Sequence, residues 1–488
     1  MTYRWLGMLA LVLSTTLRAS TPAGSIEGFV DREMPASGMP GVAYAVVADD
    51  EIASMGARGV VRIGDDRKLT PDTPFLTGSI SKSFTALAVM QLVEAGKVNL
   101  DARLSDYLGG FSGRPAGVIT IRQLLSHTSG FSTWQGNTAF AQRTQGKDAL
   151  ADRVEQLEAV TPAYKPGARW EYSNDNYQIL GRVIEVVSGE TYQVYVATHI
   201  LQPLGMTHSF VADGKVHEAM ATGHRPWFGT EQPMPLSRTV RATAPQGGIV
   251  ASASDLARYL RMMMNGEDDV LSAADKALMM RPASKASPFY GLGWFVDVGK
   301  GTVWHGGTSP GFETLATMIP AEKKAVVVLV NAGSGLGFAE TAPLRDGITA
   351  SALGLENDGE GSGWPLKALF IGLVLLPIAY VLSMVWAWLR RDKLRAKSSS
   401  GLFGVFSLWF PLLTTLAAAW VFLSLVPSLN GAPLRTVILF QPDLGWVLIA
   451  NAVTGPLWAV FRLVLAYTGK SGAAEVIEKT RSDSVTAA

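Results

Sequence analysis

The 488-residue chain contains no cysteine. Disulfides, iron–sulfur clusters and thiolate zinc sites are therefore excluded. The chain is also poor in charge, since 17% of its residues are charged, against about a quarter in ordinary soluble domains. Its 42 Lys and Arg residues nearly balance its 41 Asp and Glu residues. Nucleic acid needs a concentrated basic face, so no nucleic acid partner is expected.

The low charge coincides with a high apolar content. Hydrophobic residues make up 48% of the chain, and the mean hydropathy is +0.20. This composition indicates that part of the chain lies in a lipid bilayer. The length leaves room for roughly three units of ordinary domain size, and easily for a large core.

The first residues have the order of a secretory signal peptide. Arg4 precedes an apolar stretch at residues 5–13, and the small residues Ala19 and Ala23 follow it. A positive start, a short apolar stretch and small residues at the cleavage site define such peptides. We predict a signal peptide over residues 1–20, with the cleaved bond left open between Ala19 and Ala23. An uncleaved anchor is the alternative, although the stretch is short for a membrane span.

Long apolar stretches occupy residues 368–389, 402–426 and 444–465. The first two are too long and too free of charge for core helices. The third contains Asn451 and a proline, and its Arg462 lies close enough to one end to reach the membrane surface. The sequence therefore predicts a membrane domain of three transmembrane helices over residues 364–468.

Charge predicts the orientation of these helices. A basic run follows the first stretch, formed by Arg390, Arg391, Lys393, Arg395 and Lys397. Cytoplasmic loops are enriched in Lys and Arg, so this loop is predicted to be cytoplasmic. The signal peptide places the middle of the chain outside, which gives the same orientation. We predict a multi-pass protein of the inner membrane with its middle domain on the periplasmic side, a linker at residues 356–363 and a cytoplasmic tail at residues 469–488.

The middle segment, residues 25–355, shows both strand and helix patterns. Residues 79–95 predict a helix that Gly96 stops. Predicted strands, rich in β-branched and aromatic residues, are residues 41–47, 60–63, 293–298, 302–304, 312–319 and 325–331. A mostly helical stretch separates the two strand sets. This arrangement predicts an α+β domain in which both ends form one antiparallel sheet and helices are inserted on one side.

Ser79 and Lys82 form the first candidate catalytic pair. Residues three apart on a helix share a face, so the Lys82 side chain can reach the Ser79 hydroxyl. The N-terminus of the helix also favours negative charge developing there. Ser81 and Ser83 are competing hydroxyls, but neither has a lysine three residues on. Taken alone, this short motif is explained more simply by a capping serine beside a solvated lysine.

Two more polar motifs lie far along the chain. Tyr172 and Asn174 follow a loop-like segment, where an ammonium could ease loss of the phenol proton and an amide could orient a substrate. His305 ends a predicted strand, and the glycines after it allow close approach of backbone. Each motif alone is compatible with an ordinary turn or a structural histidine. Their order and spacing together favour a catalytic site.

These motifs resemble the S-x-x-K, Y-x-N and K-T-G or H-x-G elements of the serine β-lactamase and penicillin-binding protein family. The corresponding segments are Ser79–Lys82, Tyr172–Asn174 and His305–Gly307. The branch concerned contains class C β-lactamases, D-amino-acid peptidases and related esterases. Residues 75–78, 124–130, 203–206 and 247–256 also look like that branch. The resemblance covers about residues 25–355 and implies a β-lactamase/transpeptidase-like domain, with an antiparallel five-stranded sheet plus a helical subdomain.

The resemblance also implies a mechanism. Ser79 would attack a carbonyl carbon and form an acyl-enzyme, while Lys82 and Tyr172 share its proton and pass it to the leaving group. The implied substrate-binding and oxyanion residues are Asn174, His305, Gly307 and Thr308. The backbone N–H groups of Ser79 and Thr308 would form the oxyanion hole. His305 stands where classical β-lactamases have lysine, which favours a peptidase or esterase over efficient β-lactam hydrolysis.

The function expected from the resemblance is serine hydrolysis of an amide in a peptide, an N-acyl-D-amino acid or a β-lactam. A class C-like β-lactamase or an esterase is the alternative, and a silent penicillin-binding or sensor protein is an alternative of another class. The three helices resemble those of membrane peptidases that remove an N-acyl-D-asparagine prodrug group from products such as colibactin. The six histidines show no paired ligand spacing, so no metal and no other cofactor is expected. His127 and Ser129 are predicted to cap a helix and shape the site wall.

Overall fold

A computed structural model of the protein describes residues 25–138, 146–356 and 363–468. The described chain forms two compact units. The N-terminal unit contains the residues up to 356 together with 439–442, and the helical unit contains 363–438 and 443–468. The predicted signal peptide, the interior of the predicted linker and the predicted cytoplasmic tail lie outside the described residues.

The N-terminal unit combines strands from both ends of its sequence with helices from its middle. Its strands are β1 (Gly41–Ala48), β2 (Glu51–Gly59), β3 (Phe75–Leu76), β4 (Phe210–Val211), β5 (His224–Trp227), β6 (Thr230–Pro233), β7 (Ile249–Ala251), β8 (Phe295–Asp297), β9 (Thr302–Ser309), β10 (Phe312–Ile319) and β11 (Lys324–Val330). Its helices are α1 (Ile26–Ser37), α2 (Ser81–Glu94), α3 (Ile121–Leu125), α4 (Thr133–Thr138), α5 (Ala149–Glu158), α6 (Asn174–Ser188), α7 (Tyr192–Val196), α8 (Ala244–Gly247), α9 (Ala253–Met264), α10 (Ala273–Met279) and α11 (Ala342–Leu353).

The main sheet has six strands in the order β2-β1-β11-β10-β9-β8, and its neighbouring strands are antiparallel. Successive side chains of β1 alternate between the two faces of the sheet. Ala43 and Ala45 join the large core that contains the middle helices. Val42 and Tyr44 join a second core beneath the terminal helices. Because both faces are covered, the central strands are almost continuously apolar and could be predicted from the sequence.

The sheet corrects two expectations. It has six strands instead of five, because the short β8 pairs with β9 at one edge. The strand predicted at residues 60–63 is wrong, since the second strand is β2 and Val60 makes only an isolated bridge to Lys68. β2 lies at the other edge of the sheet and exposes most of its side chains, so its sequence lacks the apolar pattern of a buried strand.

The helical unit contains three helices long and apolar enough to cross a membrane: Trp364–Leu389, Gly401–Leu429 and Pro442–Tyr467. Its helical elements are α12 (Trp364–Leu389), α13 (Arg391–Lys397), α14 (Gly401–Trp420), α15 (Val426–Leu429), α16 (Leu434–Phe440) and α17 (Pro442–Tyr467). The three predicted apolar stretches fall within these helices. The helical unit therefore has the apolar surface that membrane association requires.

Asn451 in the third predicted span has a structural role. Pro377 lies inside α12 and has no N–H, so the Leu373 carbonyl lacks its usual donor four residues on. The Asn451 side-chain amide of α17 donates to that carbonyl oxygen at 2.8 Å. The asparagine thus fills a gap that the proline leaves in a neighbouring helix.

Candidate active site

Ser79 lies in a tight turn between β3 and α2. This turn, Gly78–Ile80, is a 3-10 helix that leads directly into the first turn of α2. Gly78 has a φ of 56°, and a Cβ there would come within 2.8 Å of the Thr308 amide nitrogen. Only glycine combines the positive φ with this close approach at low cost. The turn therefore places Ser79 beside the backbone of β9.

Lys82 follows one helical turn after Ser79 and is completely buried. Its Nζ lies 3.0 Å from Ser79 Oγ, 2.9 Å from Asn174 Oδ1 and 2.8 Å from the Gln246 carbonyl oxygen. In the neutral amine the two N–H groups donate to Asn174 and Gln246, and the lone pair accepts from the Ser79 hydroxyl. No carboxylate forms an ion pair with Lys82 among the described residues. Burial disfavours the charged form and lowers the pKa of Lys82 well below its usual value. The environment therefore favours a neutral amine that can accept a proton.

Tyr172 contacts both members of the Ser79 and Lys82 pair. Its hydroxyl donates to Ser79 Oγ at 2.8 Å, and Lys82 Nζ lies 4.8 Å from the centre of its ring. Burial raises the pKa of the Tyr172 phenol, and the hydrogen bond to Ser79 only partly opposes this effect. The phenol is therefore neutral and can donate a proton. Ser79 Oγ stands between a potential base and a potential acid.

Asn174 begins α6 and places both ends of its amide in the site. Its Oδ1 accepts from Lys82, and its Nδ2 donates to Asn137 Oδ1 at 2.8 Å. The neighbouring Asp175 turns away and pairs with Arg153 at 2.7 Å in a buried contact. The predicted amide thus lies at the site, where it contacts the Lys82 amine.

His305 projects from β9 toward the same space as Tyr172, with 6.4 Å between the two ring centres. Its Nδ1 lies 2.7 Å from the Gly306 carbonyl oxygen, and its Nε2 lies 3.2 Å from the Tyr290 hydroxyl. Burial and the nearby Lys82 lower the pKa of His305 to about 3, so the ring is neutral. Nδ1 must then carry the proton, because a carbonyl only accepts. His305 is held by its neighbours and carries no charge toward the site.

Gly307 and Thr308 provide the backbone wall of the site. A Cβ on Gly307 would overlap the carbonyl oxygen of Thr77, so the strand can approach the Ser79 turn only with glycine at this position. Thr308 is the next residue, and its amide nitrogen lies against Gly78. The structure thus brings the Ser79 turn and the Thr308 N–H into the neighbourhood that an oxyanion hole needs.

No motif in the sequence points to Gln246 or Tyr290, although both residues shape this site. Gln246 contributes only a backbone oxygen, and Tyr290 contacts His305 from a loop without a motif. His127, which the sequence predicts in the wall of the site, packs its ring 4.3 Å from that of Tyr172, and its Nδ1 accepts from the Ser173 N–H at 3.1 Å. A φ of 57° at His127 marks an unusual turn that a single sequence does not reveal.

The competing hydroxyls are both occupied in structural bonds. Ser81 is fully buried, and its Oγ accepts from the Ile249 N–H at 2.9 Å. Ser83 is equally buried and donates to the Ile80 carbonyl oxygen at 2.8 Å. Ser79 is partly exposed and contacts both Lys82 and Tyr172. Geometry therefore favours Ser79 among the three hydroxyls.

Comparison with known proteins identifies the family. The family model described as Beta-lactamase matches residues 26–350. The chain belongs to the beta-lactamase family. Penicillin-binding protein 4 of Amycolatopsis lactamdurans is 32% identical over 323 residues, which cover 62% of this chain and 83% of that relative. The likeness extends over the N-terminal unit, so the predicted family membership and α+β fold are confirmed.

Solved structures agree with the beta-lactamase family fold. The octameric penicillin-binding protein homologue from Pyrococcus abyssi superposes with a TM-score of 0.60 and 26% identity, covering 72% of this chain and 82% of that chain. A class C beta-lactamase gives a TM-score of 0.56 with 20% identity, over 69% of this chain and 96% of that chain. The second likeness concerns the fold alone.

Proposed function

We propose that the chain is a membrane-anchored serine hydrolase that cleaves an amide bond through an acyl-enzyme on Ser79. A peptidase or amidase acting on a peptide or an N-acyl-D-amino acid is the favoured activity. The observation that carries the proposal is the double contact of Ser79 Oγ, at 3.0 Å from Lys82 Nζ and 2.8 Å from the Tyr172 hydroxyl. Membership of the beta-lactamase family supports acyl-enzyme hydrolysis in general.

The acylation step follows from the protonation states. The neutral Lys82 amine takes the Ser79 proton while Ser79 Oγ forms a bond to the substrate carbonyl carbon. The carbonyl oxygen becomes negative and receives hydrogen bonds from the backbone N–H groups of Ser79 and Thr308. Each such donor is worth about 3 kcal/mol in the transition state. Lys82 is preferred as the base because burial disfavours a Tyr172 phenolate.

Tyr172 completes the proton transfer. The bond between the carbonyl carbon and the leaving nitrogen breaks, and that nitrogen takes the phenol proton. The Lys82 ammonium returns a proton to Tyr172, so the pair regains its starting state. A water molecule then adds to the acyl carbon after giving a proton to the same pair, and the ester bond to Ser79 breaks as Ser79 Oγ is protonated. The acid product leaves.

The neutral His305 favours substrates without a carboxylate at the position where β-lactams carry one. A histidine with a pKa of about 3 supplies no positive charge to such a group. Tyr290 and the Gly306 carbonyl already occupy both ring nitrogens. An esterase is the second candidate, because the same machinery serves an oxygen leaving group.

The membrane placement belongs to the same proposal. Three apolar helices can anchor the chain in a bilayer. The basic run that includes α13 supports a cytoplasmic loop after α12, which would leave the N-terminal unit on the extracytoplasmic side of the inner membrane. The partners proposed are a small-molecule or peptide substrate and the lipid bilayer.

The test is the intact mass of the full-length protein in detergent after incubation with benzylpenicillin, while loss of the drug is followed. We expect an adduct, or drug turnover, with the wild type and with Ser83→Ala, and neither with Ser79→Ala. Ser83→Ala removes a buried hydroxyl from the same helix without touching the substrate space. An adduct that persists in Ser79→Ala would refute the proposed nucleophile.

The same experiment separates an enzyme from a sensor. A stable adduct with the wild type, joined to turnover of N-acyl-D-amino-acid amides, supports the peptidase. A stable adduct without turnover of any amide or ester indicates a penicillin-binding sensor. Rapid loss of the drug indicates a β-lactamase instead.

A further inference from the structure

A cavity of about 140 Å³ opens beside the Ser79 turn. Its wall is mainly apolar and includes Leu76, Ala212, Met220, Leu236, Val240 and Phe312. Two of its described lining residues can carry charge, His217 and Arg238. The His217 ring lies 2.9 Å from the Asp213 carboxylate, and Arg238 is exposed at the rim. The interior therefore suits an uncharged ligand group.

Three lining residues connect this cavity to the reacting atoms. Gln246 holds Lys82 through its carbonyl oxygen. Gly247 faces the Ser79 turn without a side chain, and a Cβ there would still leave 3.8 Å to the Gly78 carbonyl carbon. Ser309 directly follows Thr308 on β9. The cavity wall thus includes the residue that contacts Lys82, and it begins one residue away from Thr308.

The position of the proton donor decides which half of the substrate enters the cavity. The leaving group must contact Tyr172 to receive its proton, and Tyr172 faces His305 on β9. Ser309 lies four residues further along the same strand, which is about 13 Å in an extended chain. Neither Tyr172 nor His305 is among the described residues that line the cavity. The cavity therefore lies on the side of Ser79 away from the leaving group.

We propose that this cavity binds the acyl group that stays on Ser79, and that the preferred acyl group is apolar. This inference rests on the proposed acyl-enzyme reaction and names its substrate class. A cavity of about 150 Å³ in another protein holds a benzene molecule, so the acyl group should carry about six to eight carbon atoms. Aliphatic and aromatic groups of that size both fit the description.

The apolar rim supports the same assignment. Leu236 is 60% exposed and Val216 is 46% exposed, and both of these large apolar residues line the cavity. Clustered exposed apolar side chains at a cleft are typical of a ligand-binding surface. Each methylene that they remove from water should raise kcat/KM by about fourfold.

The test uses esters that share one leaving group and differ in the acyl group. For the full-length protein in detergent, kcat/KM is measured with the p-nitrophenyl esters of acetate, hexanoate, phenylacetate and adipate, after subtraction of the Ser79→Ala rate. We expect hexanoate and phenylacetate to exceed acetate by at least tenfold. Adipate, which has a hexanoate-sized chain ending in a carboxylate, should lose that advantage.

A matched pair of variants locates the effect. Leu236→Asp puts a charge on the rim, and Val298→Asp makes the same change at a residue that is 70% exposed beyond the other end of β9. The hexanoate to acetate ratio should fall about tenfold in Leu236→Asp and stay unchanged in Val298→Asp. An equal ratio in all three proteins, or wild-type hexanoate no faster than acetate, would overturn the cavity assignment while leaving the serine hydrolase intact. Absence of any Ser79-dependent ester turnover and of a penicillin adduct would instead refute the proposed function on which it rests.

Discussion

The N-terminal unit contains two completely buried lysines in different surroundings. Lys82 is 0% exposed and Lys276 is 1% exposed, and the Nζ of each makes three hydrogen bonds. Lys276 pairs with the Asp269 carboxylate at 2.9 Å, whereas the acceptors of Lys82 are a hydroxyl, an amide and a carbonyl. The number of hydrogen bonds is the same, and only the charge of the partners differs.

The charge of the partners determines which protonation state each buried lysine favours. Burial acts to raise the pKa of Asp269, but hydrogen bonds from Lys276 and Asn265 outweigh it and the pKa is lowered. The pair is therefore a stable ionic contact that also holds the Met262 carbonyl near the end of α9. Lys82 lacks a countercharge, so burial lowers its pKa and makes the neutral amine accessible. The first environment suits a structural role and the second suits proton transfer.

Removing the amine of Lys82 should lower the activity more than any other change considered below. Lys82→Met should lower kcat/KM for an ester or amide substrate by about a thousandfold, because it removes the proposed base and keeps an unbranched side chain of similar length. Its melting temperature should stay within a few degrees of that of the wild type, because the loss of the hydrogen bonds to Asn174 and Gln246 is offset by removal of a buried ionisable group without a countercharge. Activity within tenfold of the wild type would show that Lys82 is not the base.

The pH dependence of the reaction tests the protonation state of Lys82 directly. Below the pKa of Lys82 the amine is protonated and cannot accept the Ser79 proton, so kcat/KM should rise about tenfold per pH unit and then level off. Since burial lowers this pKa from 10.5, the plateau should begin well below pH 10.5. Asp269→Asn should leave this profile in place, because that carboxylate belongs to the other lysine. A rise that continues to pH 10.5 would contradict a neutral Lys82.

Only part of this contrast could be predicted from the sequence. Ser79 and Lys82 are three residues apart, so helical geometry alone places them together. The Gln246 carbonyl that completes the lysine site is 164 residues away and presents a backbone atom that every residue type has. The same limit applies to Tyr290 on His305, because no local pattern connects residues that meet only through the tertiary fold.

The fold shows the same division. The buried β1 and β11 have apolar sequences that predict strands, and the long apolar helices are equally evident. The exposed edge strand β2 has a mixture of polar and apolar residues without a strand pattern. It is a strand because it pairs with β1, and its own side chains are mostly not buried. Elements whose own side chains are buried can thus be predicted from local sequence. A strand that forms only because it pairs with a neighbouring strand is missed.

Replacing Lys276 tests the structural role of the second buried lysine. Lys276→Met should destabilise the protein by about 2 kcal/mol, because it removes three hydrogen bonds and leaves the partly buried Asp269 without its cation. In a unit of this size, that loss corresponds to a melting temperature about 3 °C lower. At a temperature where the variant is folded, kcat/KM should remain within about twofold of the wild type. A thousandfold loss of activity without a change in melting temperature would reverse the roles assigned to the two lysines.

Asn451 of the helical unit is a buried polar group that, unlike a lysine, does not take up or release a proton. Its Nδ2 donates to the Leu373 carbonyl of α12 and to the Val447 carbonyl of its own helix, both at 2.8 Å. Asn451→Leu should lower the melting temperature by the equivalent of about 1 kcal/mol, the usual size of such contacts between membrane helices.

A double-mutant cycle decides whether that contact exists because of the proline. Pro377→Ala restores an N–H that can bond the Leu373 carbonyl within α12, so Asn451→Leu should cost much less in that background than in the wild type. An equal loss of stability in both backgrounds would show that Asn451 stabilises α17 independently of the hydrogen bond that Pro377 cannot donate in α12. Kinetic constants should be unaffected throughout, because this polar group, like Lys276 and unlike Lys82, has only partners that hold it in place.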